Sequence, residues 1–256
     1  MGNIDNCHIM ATISGLAERD VLSATGIKSM KGKTIGDIFL TQEVNTCGCY
    51  ALKLCIDGVD TIVTVDDFVP FKKNKVEKDM LAFSKTTVEE NEIWMILLEK
   101  AIAKVYGCYE AMENQSIDKG FNILAGGPSV HYKISDFVQD ITRAGELKEE
   151  RIDKLWTIIE KANKQGWVTT LSSIPVPANL ASSLSQDNLR FATIEDKGIR
   201  YGHCYTLLDG KAVTLENNYT DIICLLRNPW GKNARGVEWS GDWGPECDLW
   251  NKHTKR

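Results

Sequence analysis

Between residues 7 and 23, Ile9, Met10, Ala11, Ile13, Leu16 and Val21 recur at spacings of three to four. That period predicts a helix buried along one or more sides, with Cys7 at or near its N-terminus. The pattern then changes. Residues 49–56 and 61–65 are apolar-rich and flank Asp57-Gly58, which predicts two strands joined by a turn and ended by Asp66-Asp67 and Pro70. From 90 to 109 a wide apolar face of Ile93, Trp94, Ile96, Leu97, Ala101, Ile102 and Val105 predicts a long helix closing near Gly107. Gly126-Gly127-Pro128 interrupts the chain, which becomes more charged afterwards. A second long helix is expected over 148–165 with Gly166 as its C-cap. Strands are expected at 167–171, 202–208, 212–216 and 222–227. A helical part followed by a strand-rich part is an α+β arrangement, divided into 1–125 and 126–256.

Composition narrows the function classes. The chain has 256 residues, 43% hydrophobic and 25% charged, enough for a packed core in one large domain or two modest ones. A net charge of −5 argues against a nucleic-acid binder steered by a positive field. The cluster Lys72-Lys73-Asn74-Lys75 is balanced by Asp66, Asp67, Glu77 and Asp79 and reads as solvated surface. No apolar run reaches the roughly 18 to 20 residues of a membrane span. The first residues lack a secretion-signal layout, and Asn6 spoils a myristoylation motif at Gly2. The eight cysteines form no Cys-x-x-Cys pair, which argues against a zinc ribbon. Reduced thiols in a cytoplasmic setting are the expectation.

A cysteine nucleophile needs a base to form its thiolate and a group to orient that base. A helix N-terminus favours a negative sulfur, and Cys7 is the cysteine predicted to sit at one. Cys49, Cys55 and Cys224 fall within strand patterns and read as core thiols. Taken alone, Cys7 reads as a structural thiol more readily than as a reactive one. Among the four histidines, His253 lies in a polar tail, His8 points away from Cys7 on the same helix, and His131 reads as loop. His203 follows Gly202, a residue that permits close approach, and precedes the apolar Cys204-Tyr205-Thr206-Leu207-Leu208. Taken alone, His203 reads more readily as a hydrogen-bonded core histidine than as a base. In Arg227-Asn228-Pro229-Trp230-Gly231, Pro229 stops the ladder and the Trp230 indole can cover Asn228, although the tetrapeptide alone is more often just a turn.

Together, Cys7, His203 and Asn228 follow the papain-like order. The surrounding segments resemble the calpain family of cysteine proteases over nearly the whole chain. They are Gly2 through Ala11, Val65-Asp66-Asp67-Phe68-Val69-Pro70, Glu92-Ile93-Trp94, Leu97-Leu98-Glu99-Lys100-Ala101, Gly107 through Ala111, Gly120-Phe121, Gly202-His203-Cys204-Tyr205, Arg227 through Gly231, and Glu238-Trp239-Ser240-Gly241 with Trp243.

The resemblance implies a papain-like two-lobe fold, with Cys7 as nucleophile in the first lobe and His203 and Asn228 as base and orienting amide in the second. It implies that Trp230 shields the Asn–His contact. It also implies a calcium-dependent intracellular endopeptidase making limited cuts, with Glu92 and Glu238 matching acidic calcium ligands of the two lobes. Protein substrates are the expected partners, together with further domains or a regulatory partner.

The departures point to an alternative, a catalytically inactive calpain-like module with a binding or regulatory role. The family usually reads Asp-Cys-Trp where this chain has Asn6-Cys7-His8. Met1 stands where a glutamine normally contributes to the oxyanion hole, and losing one such donor typically costs about 100- to 1000-fold in rate. Asn114-Gln115 replaces a Gly-Gly pair, and Pro245 stands where an aspartate is expected. The start at Met1 and the stop at Arg256 read as the ends of a fragment of a longer protein. A transglutaminase-like acyl transferase is a weaker third reading, which Asn228 in place of Asp opposes.

Overall fold

A computed structural model describes residues 4–25, 33–73, 79–84, 92–134, 149–185, 188, 192–194, 197–214, 220–230 and 238–250. The fold mixes helices and strands, and the chain forms two compact units, Met1–Val130 and His131–Arg256.

The first unit opens with α1 (Cys7–Ala24), in which His8 through Ile13, Gly15 and Leu16 are all buried. A surface helix would expose every third or fourth position, so the N-terminal half of α1 is embedded on all sides. Two strands follow, β1 (Cys49–Ile56) and β2 (Val59–Asp66), paired antiparallel from Cys49↔Asp66 to Ile56↔Val59. In β2, Val63 and Val65 are buried while Ile62 faces out, the period of two that the sequence pattern suggests. A small hairpin of β3 (Phe71–Lys73) and β4 (Asp79–Leu81) precedes α2 (Trp94–Tyr106). The predicted helix over 90–109 is thus shorter at both ends where it is described, and residue 90 lies outside the described residues. Gly107 stops it, its N–H donating to Lys104 O at 3.3 Å.

A 3-10 turn, Glu110–Met112, leads to α3 (Ile117–Ala125), which packs against α1 at Gly120. A Cβ on Gly120 would come within 2.7 Å of Thr12 Oγ1 and 3.0 Å of the His8 carbonyl. Only glycine lets the two helices approach this closely. Ile9, Ile13 and Leu16 of α1, Leu52 and Leu54 of β1, Leu98 and Ile102 of α2 and Leu124 of α3 are fully or almost fully buried in this unit's core. Each such aliphatic side chain contributes roughly 1.5–3 kcal/mol on burial.

The second unit contains α4 (Glu149–Gln165), β5 (Thr169–Ser172), α5 (Ala178–Ser183), β6 (Thr193–Ile194), β7 (Ile199–Arg200), β8 (Cys204–Thr214) and β9 (Thr220–Arg227). Its main sheet is antiparallel with the order β5-β8-β9, and β6 pairs with β7. One expectation fails here. The strands predicted at 202–208 and 212–216 are a single strand, β8, as far as residue 214, beyond which the chain lies outside the described residues. The strand continues through Asp209 and Gly210 by a register slip between Leu207 and Asp209, the signature of a bulge. Asn163 of α4 holds the slip in place, donating from Nδ2 to Asp209 Oδ1 at 3.0 Å. Among the described residues, no helix is long and apolar enough to cross a membrane.

Candidate active site

Cys7 is the first residue of α1 and is partly exposed. It therefore stands at the helix end whose dipole favours a negative charge. The residue before it behaves unusually. Asn6 occupies the N-cap position but makes no capping bond to the helix. Its Nδ2 instead donates to Glu99 Oε1 of α2 at 2.8 Å, while Glu99 Oε2 accepts the Ser84 N–H at 2.8 Å. Asn6, Ser84 and Glu99 are all buried. His8 is buried too, and burial pushes its imidazole below the ordinary value of 6.5, although Cys7 and Asp118 pull the other way. The neutral ring is the favoured form, consistent with a packed side chain rather than a base for Cys7.

His203, 4% exposed, immediately precedes β8, and Asn228 immediately follows β9. Their side chains meet with His203 Nε2 2.9 Å from Asn228 Oδ1. The same Asn228 oxygen accepts the Trp230 N–H at 3.1 Å. An oxygen that already accepts one N–H can only accept from the imidazole, so Nε2 carries the proton and Nδ1 keeps its lone pair. That is the tautomer a general base needs.

The backbone of His203 is held as firmly as its ring. Its N–H donates to Ser173 Oγ at 2.9 Å, and its carbonyl accepts from the Ser173 N–H at 2.9 Å. Gly202 has φ +57, in the left-handed region, and a Cβ there would meet nothing within 4 Å. The positive φ makes the turn into β8 one that glycine takes without strain. Around the ring, Tyr205 packs edge-on at 4.9 Å and Trp230 at 5.2 Å between centroids. Arg200 also packs on Trp230, its guanidinium carbon 3.9 Å from the indole centroid. Arg200 is itself buried, and the Tyr205 hydroxyl accepts its backbone N–H at 3.0 Å. Sequence reasoning missed Ser173, Arg200 and Glu99. Of the three only Glu99 carried a signal, as a carboxylate between Leu98 and Ala101 on the apolar face of α2.

The chain matches the family described as calpain family cysteine protease over residues 1–256. It belongs to the calpain family of cysteine proteases. It is 30% identical to the human calpain-1 catalytic subunit over 250 residues, 98% of this chain and 29% of that protein. It is 28% identical to the calpain-type cysteine protease ADL1 of Oryza sativa subsp. japonica over 234 residues, 91% of this chain and 9% of that protein. It is 26% identical to the calpain-type cysteine protease DEK1 of Zea mays over 254 residues, 99% of this chain and 10% of that protein. The chain therefore spans less than a third of the length of these relatives.

Several positions where the chain departs from the calpain pattern can be located. Asn114 takes φ 53, a left-handed conformation that asparagine tolerates better than most residues, and its N–H donates to the Asp5 carbonyl at 3.1 Å. The loop thus keeps a glycine-like turn without glycine. Met1 and Gly231 lie outside the described residues. Cys49, expected as a core thiol, is exposed at the start of β1, while Cys55 is buried and Cys224 partly so.

The two candidate calcium ligands are both exposed. Glu92 accepts from Trp94 Nε1 at 3.0 Å. Each offers the hard oxygen donors that calcium prefers. Among the described residues, however, no group of three or more acidic, histidine or cysteine side chains gathers around either one.

Proposed function

We propose that this chain is a cysteine endopeptidase acting on protein substrates through Cys7, His203 and Asn228. The reading is carried above all by the His203–Asn228 contact of 2.9 Å, with Trp230 packed against it. It is supported by Cys7 at the head of α1 and by membership of the calpain family. In this reading His203 Nδ1 takes the proton of the Cys7 thiol, and the sulfur attacks the peptide carbonyl. The imidazolium then protonates the departing amine, leaving a thioester that water hydrolyses to free acid and thiol. Asn228 keeps the ring in the tautomer that both transfers require.

Calcium dependence, limited cleavage and a cytoplasmic setting belong to the same proposal and rest on the family resemblance. Glu92 and Glu238 are its candidate calcium contacts, and no step of the chemistry above is routed through the ion.

The test is labelling of the purified chain with an epoxide thiol-protease inhibitor, with and without calcium, read by peptide mass spectrometry. Calcium-dependent modification confined to Cys7, with peptide cleavage lost in Cys7→Ala, is the expected result. Modification without calcium dependence would remove the calcium part alone. An absence of selective Cys7 modification together with no cleavage would favour a silent calpain-like module instead, the reading that Asn6 and His8 beside Cys7 keep open.

A further inference from the structure

We propose that Glu99 is a positioning residue for Cys7, acting through Asn6 to set where the head of α1 lies. This rests on the reading of Cys7 as the nucleophile. Three observations carry it. Glu99 is a carboxylate buried to 1% exposure in the middle of α2, a placement that is costly unless its oxygens are satisfied. Both of them are, one by Asn6 Nδ2 and one by the Ser84 backbone, each at 2.8 Å. Asn6 is the residue directly before Cys7, 93 positions from Glu99 in sequence, and its side chain is turned away from the capping role that its position would ordinarily give it.

The physical consequence follows from that diversion. An asparagine that capped α1 would fix the first turn only to itself. An asparagine that bridges to α2 ties the start of α1 to a second rigid element. Charge-assisted hydrogen bonds are shorter and stronger than neutral ones, so the carboxylate is the effective anchor of the pair. Cys7 directly follows Asn6, and the approach of its sulfur to a substrate carbonyl depends on small displacements of the helix head. Asn6 Oδ1 is buried and makes no hydrogen bond of its own. The amide can therefore turn to accept from a donor placed at position 99, which supplies a conservative variant.

The experiment measures the second-order rate of Cys7 alkylation by iodoacetamide across pH, with the modified cysteine identified by mass spectrometry. It uses the full chain and the variants Glu99→Ala, Asn6→Ala, the double variant and Glu99→Gln. Removing a negative charge would by itself ease thiolate formation and speed alkylation. Slowing is therefore the signature of lost positioning. Glu99→Ala and Asn6→Ala are each expected to slow Cys7 by about tenfold, with the double variant no slower than either, because the two side chains act as one unit. Glu99→Gln is expected to stay within about threefold of the parent, since Gln accepts from Ser84 and donates to the turned Asn6 amide. If Glu99→Ala does not fold, Asn6→Ala and Glu99→Gln still decide the matter.

Unchanged or faster alkylation in Asn6→Ala, or slowing that multiplies in the double variant, would overturn the proposal. A parent chain that cleaves no peptide but whose Cys7 still responds in this pattern would overturn the protease reading and leave the positioning role standing. Intact cleavage with unresponsive Cys7 would do the reverse.

Discussion

His203 and Asn228 are 25 residues apart in sequence and 2.9 Å apart in the hairpin of β8 and β9. The pairing of Thr206 with Arg227, continued by one residue, sets Asn228 opposite Tyr205. His203 is then its diagonal neighbour on the same face of the sheet. Asn228→Ala leaves both strands intact and frees the ring to turn. On the proposed mechanism it is expected to lower kcat by roughly 100-fold with KM little changed, because only the alignment of the His203 ring is lost. Steady-state peptide cleavage checks this, and a change within about twofold in kcat would show that Asn228 does not orient the base.

The Arg200–Trp230 stack makes a separate prediction. A buried guanidinium over an indole is worth about 2 kcal/mol when desolvated. Arg200→Met keeps much of the side-chain volume and removes the charge, so it should destabilise the second unit by about that amount. Chemical denaturation followed by tryptophan fluorescence measures it. Combining Arg200→Met with Trp230→Phe should cost less than the sum of the two, and strict additivity would deny the coupling.

Gly120 tests the packing of α1 on α3. Thr12 Oγ1 cannot retreat from an added Cβ without weakening its 2.9 Å hydrogen bond to the His8 carbonyl. Gly120→Ala is expected to destabilise the fold by about 1–3 kcal/mol despite alanine's better helix propensity. A neutral or higher melting temperature would show that the helices separate freely at this point.

His8 gives the stability a pH dependence. Its folded value lies below 6.5 because burial disfavours the charged ring. The contribution is therefore complete above the unfolded value and is lost as pH falls through the folded one, since the unfolded chain takes up the proton more readily. His8→Phe should lose less melting temperature than the parent between about pH 7.5 and about pH 5.5. Equal losses in the two proteins would assign the acid limb to other groups.

Much of this molecule was legible in the sequence because the relevant signals are local. A period of three to four placed α1 with Cys7 at its head, and the apolar runs around Asp57-Gly58 placed the β1–β2 hairpin. The candidate residues His203, Asn228 and Trp230 stood out by type and order, and they sit together in the second unit. Periodicity reports which way a side chain points within a turn or two of its own element, and it reports nothing about what lies there. For that reason the run of β8 through Asp209-Gly210 was not visible, since the bulge there is held by Asn163 of α4, a residue of another element. The exposure of Cys49 was hidden in the same way.

The sequence by itself determined the α+β class, the long helices and main strands, and the residue types available for thiol chemistry. The tertiary structure alone decided that Asn6 reaches Glu99 rather than capping its own helix, that Ser173 pins the His203 backbone, and that Arg200 packs on Trp230. Each of these is a contact between elements far apart in the chain, formed only once burial has brought them together, and a buried polar group must find its partner wherever packing puts one.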